Sequence, residues 1–324
     1  MFGSAWRATV RRARAARSPP GCARVSVVVP LYNHARYVVQ AVRSALAQGP
    51  VLREVIVVDD GSSDGSMDAV LDACGDDPRL DCWSQPNRGA HAAINAGLLR
   101  ATGEVLAVLN SDDVYAPGRL DRLVALLEAR PTADLAATGL HFIDEDGSPV
   151  ANPWHAEALR FLEASGDLAT ALINGNFVMT TSNLVFRRSL LDRVGLFAPL
   201  RYVHDLDFML RALSLGSRFT LLLDEPLLGY RMHATNTIKE DHRAVRVEWA
   251  AAAAAYLSAV TGAPGPVDWA GLRGVAEVLE RHALLRAVQL CLAYLRRGDP
   301  AGASLERSRM LSDEAFAVVL RDCV

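Results

Sequence analysis

From Val25 onward, short runs rich in β-branched residues alternate with amphipathic stretches, and this rhythm leaves little besides βαβ units feeding a parallel sheet. Residues 25–30, 54–59, 79–84 and 105–109 read as strands. Between them, 35–47 carries apolar residues at helical spacing, 61–65 turns into a helix ending near Cys74, and 88–101 forms a third helix. Beyond Asp113 the rhythm loosens. Pro117 suits the first turn of a helix running to about Ala129. Segments 134–142, 180–187 and 219–223 read as further strands, and 203–215 as a helix stopped by Gly216. After Thr237 the chain becomes rich in alanine, leucine and arginine, interrupted once at 262–266, which predicts a helical region. The expected organisation is a basic arm over 1–22, an α/β domain over 23–240 and C-terminal helices over 241–324.

Of the 324 residues, 51% are hydrophobic and 22% charged, so the chain can bury a sizeable core and is not globally disordered. Its net charge of -3 hides an asymmetry: residues 1–24 hold six arginines and no acid, leaving 28 basic against 37 acidic side chains elsewhere. An acidic body is a poor match for a phosphate backbone, which excludes nucleic acid as the main substrate. The arm reads as exposed, weak contact with anionic lipid being the other reading. It has no continuous apolar segment of the secretory type, and no window reaches the roughly 20 apolar residues that span a bilayer. Five scattered cysteines without a C-x-x-C pair fit reduced thiols. The expected setting is the cytoplasm, with peripheral contact at the inner face of the membrane as the alternative.

In an open α/β sheet, ligands sit beyond the carboxyl ends of the strands. Those ends are here acidic and polar: Pro30-Leu31-Tyr32-Asn33, Asp59-Asp60-Gly61-Ser62, Gln85-Pro86-Asn87-Arg88-Gly89 and Asn110-Ser111-Asp112-Asp113. One such carboxylate would be unremarkable as a helix cap; four converging ends are harder to explain structurally. No glycine-rich turn follows the first strand, so a dinucleotide cradle is excluded. A diphosphate then needs positive charge from elsewhere, and Asp112 with Asp113 offers the carboxylates that hold Mg²⁺ or Mn²⁺. The run Asp60–Gly65 imitates half a calcium loop, but its twelfth position is Leu71 instead of an acid. An Asx-rich turn fits better, with Asp64 as helix cap and Asp60 facing the cleft.

Taken in order, several segments resemble the motifs of family 2 glycosyltransferases of the GT-A fold, over residues 23–237. They are Val25-Ser26-Val27-Val28-Val29-Pro30-Leu31-Tyr32-Asn33, Val57-Val58-Asp59-Asp60-Gly61-Ser62-Ser63-Asp64-Gly65-Ser66, Asn87-Arg88-Gly89, Asn95-Ala96-Gly97, Ala101-Thr102-Gly103-Glu104, Asn110-Ser111-Asp112-Asp113, His204-Asp205-Leu206-Asp207-Phe208-Met209-Leu210-Arg211 and Tyr230-Arg231-Met232-His233. The resemblance implies a Rossmann-like mixed sheet flanked by helices, and transfer of a single sugar, with inversion, from a nucleotide-diphosphate sugar to an acceptor hydroxyl. Nucleotide-sugar binding would fall to Pro30, Tyr32, Asn33, Asp60, Arg88 and Asp112, with Tyr32 stacked near the base, Asp60 accepting from a base N–H and Asp112 at the ribose. Asp60 in that role favours a UDP- or dTDP-sugar. Asp113 would ligate the Mg²⁺ or Mn²⁺ that bridges the phosphates. His233 stands where relatives place a further metal or phosphate contact, a structural role being the alternative.

Asp205 matches the family's catalytic base. Asp207, two residues further along a helix, does not face it, unlike the paired carboxyls of a retaining glycosidase. The transmembrane helices and Gln-x-x-Arg-Trp motif of processive synthases are missing, which points to a non-processive enzyme acting on a carbohydrate or lipid-linked acceptor in surface polysaccharide or glycoconjugate synthesis. The C-terminal helices carry no legible motif; pairing two copies, covering the acceptor and simple packing all stay open. A nucleotidyltransferase would need a glycine-rich basic loop after the first strand. A nucleotide-sugar binding module without turnover is the competing reading.

Overall fold

The computed structural model describes residues 25–262, 267–295 and 309–324, so the expected arm over 1–22 lies outside the described residues. In chain order the strands are Val25–Leu31 (β1), Leu52–Asp59 (β2), Leu80–Ser84 (β3), Val105–Val108 (β4), Val114–Tyr115 (β5), Leu135–Ile143 (β6), Pro149–Val150 (β7), Val185–Arg187 (β8) and Phe219–Arg231 (β9). The helices are Val38–Leu46 (α1), Ser66–Cys74 (α2), Ala90–Arg100 (α3), Arg119–Ala129 (α4), Pro153–Ser165 (α5), Leu168–Asn174 (α6), Arg188–Val194 (α7), His204–Ser214 (α8), His242–Thr261 (α9), Arg273–Arg281 (α10), Leu285–Leu295 (α11) and Glu314–Arg321 (α12).

The sheet order is β3-β2-β1-β4-β8-β6-β9-β5, with β7 paired to β6. Strands β1 to β4 are parallel, whereas β8 runs antiparallel to β4 and β6, so the sheet is mixed. β1 is buried along its whole length, as befits a central parallel strand covered on both faces. Because β2 and β3 lie on one side of β1 and β4 on the other, the strand order reverses between β1 and β4. At such a switch point the connections diverge, opening a crevice beyond the carboxyl ends.

The pleat sends alternate side chains to two cores. Val27, Val29, Val55 and Val57 pack with α1 and α4. Val28, Ile56 and Val58 face a second cluster that takes in α3, Phe208 of α8, Ala250–Ala254 of α9 and Val288 of α11. The core on that face therefore runs from the sheet into the C-terminal helices, with α9 packed on both α8 and α11. Among the described residues no helix is long and apolar enough to cross a membrane.

Three local expectations shift. The helix after Pro117 starts two residues later, at Arg119, because Gly118 takes a left-handed conformation (φ 75°). Residues 181–183 form a 3₁₀ turn, so only Val185–Arg187 of the expected 180–187 strand pairs. β9 continues to Arg231, past the expected end at 223, by shifting register against β6 at Gly139.

Gly97 sets the spacing of α3 over β1, since a Cβ at that position would overlap Val28 Cγ1. Gly97→Ala should lower the free energy of unfolding by about 1–3 kcal/mol through overpacking, although alanine is the better helix former by about 1 kcal/mol. Urea denaturation measures this, and a neutral or stabilising result would mean that α3 can shift off β1 freely.

Candidate active site

The ends of β1, β2 and β4 open into a cleft of about 1180 Å³. The loops after β1 and β2 are cross-linked before they reach it. Asn33, with φ 52°, donates its backbone N–H to Ser62 Oγ and accepts from Ser63 N–H through Oδ1, both at 2.9 Å. Asparagine is one of the few non-glycine residues that tolerate this region of backbone space. His34 N–H donates to Ser66 Oγ. Asp64 accepts Ala35 N–H and, at the start of α2, Ser66 N–H. It thus joins two loops, while the cap position expected for it falls to Gly65, with φ 81° and no side-chain cap. Pro30, Tyr32, Asn33, Asp60 and Arg88 all line the cleft, Tyr32 being about half exposed (49%).

Asp60 is 2% exposed and its carboxylate is already occupied. It accepts from Gln85 Nε2 at 2.9 Å, from Arg88 N–H at 3.0 Å and from Gly89 N–H at 2.7 Å. Charge-assisted bonds to backbone N–H groups are strong and directional. Asp60 therefore shapes the Asn87–Gly89 loop from within, and that loop forms one wall of the cleft. Gly61 fits here because a Cβ would come within 3.2 Å of Asn87 N, at a φ of 82°.

Asp112 and Asp113 end up in different surroundings. Asp112 Oδ2 lies 2.9 Å from His233 Nε2, and His34, Asp112 and His233 offer ligand atoms within 4.8 Å of one another. Nδ1 of His34 pairs with Ser111 Oγ and Nδ1 of His233 with Thr235 Oγ1, each at 2.8 Å. Such outer partners fix ring orientation and leave Nε2 as the candidate ligand. Burial pushes Asp112 upward, but the bond from His233 and the proximity of His34 outweigh it and hold the carboxyl below its usual range. Burial also lowers His34, favouring the neutral, ligating imidazole. Two imidazoles and an ionised carboxylate are a donor set that fits a divalent metal.

Asp113 also lines the cleft, in a more enclosed position. It is 1% exposed, and it accepts from Ser182 Oγ at 2.6 Å, Thr180 Oγ1 at 3.2 Å and Arg231 N–H at 3.0 Å. Burial, then the neighbouring Asp112 charge, pushes it up to about 8. Asp112, expected at the ribose, is the one that joins His233, and His34 completes the group. Sequence reasoning missed His34, although it directly follows the Tyr32-Asn33 strand end.

Asp205, which also lines the cleft, stands in the first turn of α8, 6% exposed. Its Oδ2 accepts from Asn176 Nδ2 at 2.8 Å and its Oδ1 from Leu206 N–H at 2.7 Å. Burial raises its pKa, and His204 and these bonds offset that only in part. Asp207 points away: it is 1% exposed and pairs with Arg211 Nε at 2.9 Å, a structural role and not a solvated one. The approach to α8 is held by Glu248 of α9, whose carboxylate accepts Arg201, Tyr202 and Val203 N–H at 2.8, 2.8 and 3.2 Å. Neither Asn176 nor Glu248 belongs to a sequence motif that could have flagged it.

The family model for glycosyl transferase family 2 matches residues 26–195. The succinoglycan biosynthesis protein ExoO of Rhizobium meliloti is 34% identical over 218 residues, covering 64% of this chain and 60% of that protein. Against three uncharacterized glycosyltransferases from Nostoc and Rickettsia, 31 or 32% identical, the chain spans 66%, 31% and 30% of the relative's length. Among solved structures, the mannosyltransferase PcManGT from Pyrobaculum calidifontis, in complex with GDP-Man and Mn²⁺, is similar with a TM-score of 0.57 at 20% identity, covering 96% of this chain and 87% of that one. S. aureus TarS 1–349 in complex with UDP-GlcNAc has a TM-score of 0.57 at 18% identity, covering 89% and 92%. The mixed sheet flanked by helices is thus of the GT-A type, and with the family model spanning more than half its length this chain belongs to glycosyl transferase family 2.

Proposed function

We propose that this glycosyltransferase transfers a single sugar, with inversion and with help from a divalent cation, from a UDP- or dTDP-sugar to the hydroxyl of a carbohydrate or lipid-linked acceptor. The observation that carries the reading is that one cleft is lined both by Asp205 and by His34 and Asp112, which His233 joins from behind as a third candidate ligand. A single in-line displacement needs one base. Asp207, committed to Arg211, is not a partner for a double displacement. Tyr32 would carry the base of the nucleotide, and the Asn87–Gly89 loop shaped by Asp60 would border it, with Arg88 at the rim. ExoO's name, a succinoglycan biosynthesis protein, supports polysaccharide synthesis as the setting. Because the Asp60 carboxylate is taken up by Gln85, Arg88 and Gly89, a pyrimidine preference would act through the loop it shapes, and UDP should then compete for the site better than GDP, as titration calorimetry would report.

His34, Asp112 and His233 would hold the cation. When bound, it supplies positive charge to the departing diphosphate without a proton donor. Imidazole ligands favour Mn²⁺ over Mg²⁺ at such a site. Chelation should abolish transfer, with Mn²⁺ restoring it at lower concentration than Mg²⁺. Independently of turnover, Mn²⁺ binding measured by electron paramagnetic resonance with UDP present should weaken by about 10- to 100-fold in His34→Ala and Asp112→Asn. Asp113→Asn should keep most of that affinity; the reverse ranking would return the ligand role to Asp113.

Asp205 would take the proton of the acceptor hydroxyl. Because its pKa is raised, the base is protonated at pH values where an ordinary carboxylate is ionised. Transfer should therefore rise with pH through one ionisation lying above the usual carboxylate range. Asp205→Asn should lower kcat by about 10² to 10⁴-fold and remove that limb of the profile, leaving nucleotide affinity in place. A variant that keeps both rate and limb would assign the proton to another group.

A further inference from the structure

Near Asp205 the cleft contains an arrangement to which the proposed nucleotide-sugar contacts assign no role. Trp154, the second residue of α5, is 47% exposed and lines the cleft. The start of α5 is rigid, with Pro153 in its first turn and Asn152 accepting His155 N–H. The edge of the Trp154 indole lies over Gly175, where a Cβ would come 3.0 Å from Cζ2. Gly175 has φ -176°, a conformation open to any residue, so what requires glycine is the closeness of the indole. The next residue is Asn176. Its Nδ2 is committed to Asp205, and this fixes the amide so that Oδ1 is buried with no partner. On the other side of the same segment, Trp249 of α9 also lines the cleft and anchors its Nε1 to Ile173 O at 3.1 Å.

A buried carbonyl oxygen without a donor is costly, and an unsatisfied group in a native site calls for an explanation. Here a hydroxyl of a bound molecule would satisfy it. The amide joins that oxygen to the Asp205 carboxylate, so two acceptors stand next to each other. Neighbouring hydroxyls on a ring match two neighbouring acceptors, and the apolar face of the same ring matches an exposed indole beside them. Aromatic surface with a few convergent polar groups is the usual make-up of a small-molecule site.

We propose that Trp154, Gly175 and Asn176 form an acceptor subsite for a pyranose bearing two vicinal hydroxyls, its ring face on Trp154. The proposal rests on Asp205 as the base. One hydroxyl gives its proton to Asp205 while its oxygen bonds to the anomeric carbon of the donor; the bond from that carbon to the diphosphate breaks, and the diphosphate leaves with the electron pair. The adjacent hydroxyl donates to Asn176 Oδ1 and stays unmodified. The sugar is thus selected by a hydroxyl that does not react, and held by a ring face.

The test uses the full chain with UDP and Mn²⁺ present. Methyl gluco-, galacto- and mannopyranosides, with their monodeoxy analogues, are the probes, and binding is followed by saturation-transfer NMR. The subsite predicts binding of at least one pyranoside, with strongest saturation on the protons of one ring face. It also predicts a loss of about tenfold or more for the analogue lacking the hydroxyl beside the reactive one. Trp154→Ala should weaken binding by about tenfold and Trp154→Phe should recover most of it. Gly175→Ala, which crowds the indole, should fall between. For a pyranoside that is also a substrate, Trp154→Ala should raise its KM with kcat little changed. Affinity unaltered in Trp154→Ala, equal binding of all deoxy analogues, or no pyranoside bound at up to about 10 mM would each overturn the subsite. Should the sugars bind as described while Asp205→Asn transfers at the full rate, the assignment of the base fails and the sugar site stands.

Discussion

Two adjacent carboxylates follow the fourth strand and line the cleft, and they cannot both stay ionised there without separate sources of compensation. The fold divides them. Asp113 turns into the protein, where Ser182, Thr180 and the Arg231 backbone receive it, and its acidity falls toward neutral pH. Asp112 turns to the cleft, where two histidines keep it ionised. Environments that push the pKa values of two titratable groups apart assign them different work. The division depends on β9 running to Arg231, far beyond its first pairing with β6. Only then does the buried Arg231 side chain reach the carbonyl of Asp112, with those of Asp144 and Glu145, and only then does His233 arrive opposite Asp112.

The helices beyond residue 240 take part in the same site. Glu248 gathers three successive backbone N–H groups just ahead of α8, so the position of Asp205 is set by α9 as much as by its own helix. Arg201 reinforces the joint by pairing with Glu240 at 2.7 Å, an exposed contact worth little by itself. Trp249, one residue after Glu248, ties α9 to the segment leading to Asn176. A tail without a legible motif thus fixes both the carboxylate and the residue that orients it.

What was legible in the sequence follows from periodicity and from strand ends. The runs at 25–30, 54–59, 79–84 and 105–109 declared the parallel half of the sheet, and their polar ends declared where a ligand sits, because both are local properties of the chain. His34, Asn176, Glu248 and Trp154 were not legible. Each gains its place from a partner between 21 positions away, as Gly175 is from Trp154, and 78, as Asp112 is from His34, which spacing cannot encode. The roles of Asp112 and Asp113 were likewise beyond reach, since two identical neighbours differ only in what surrounds them. Ala101-Thr102-Gly103-Glu104, part of the family-like pattern, lies at the other end of the sheet. There Glu54 accepts from Thr102 N–H and from Ser26 Oγ, which in turn accepts Gly103 N–H. That pattern ties strand ends together and does not line the cleft.

The absence of a glycine-rich turn after β1 has an electrostatic counterpart at α3. A helix N-terminus carries positive potential and exposed N–H groups, which in many α/β proteins receive a phosphate. Here the N–H groups of Arg88 and Gly89, just ahead of α3, point into the Asp60 carboxylate, so a buried negative charge already meets that potential. A diphosphate entering the cleft would face Asp60 at this helix, and its own charge would have to be balanced elsewhere, as a cation at His34, Asp112 and His233 would do. The same substitution of a carboxylate for a phosphate explains why the cleft can have an acidic sequence signature and still suit an anionic donor. The acids order the walls, and under the proposed reading a cation held at one point would supply the attraction.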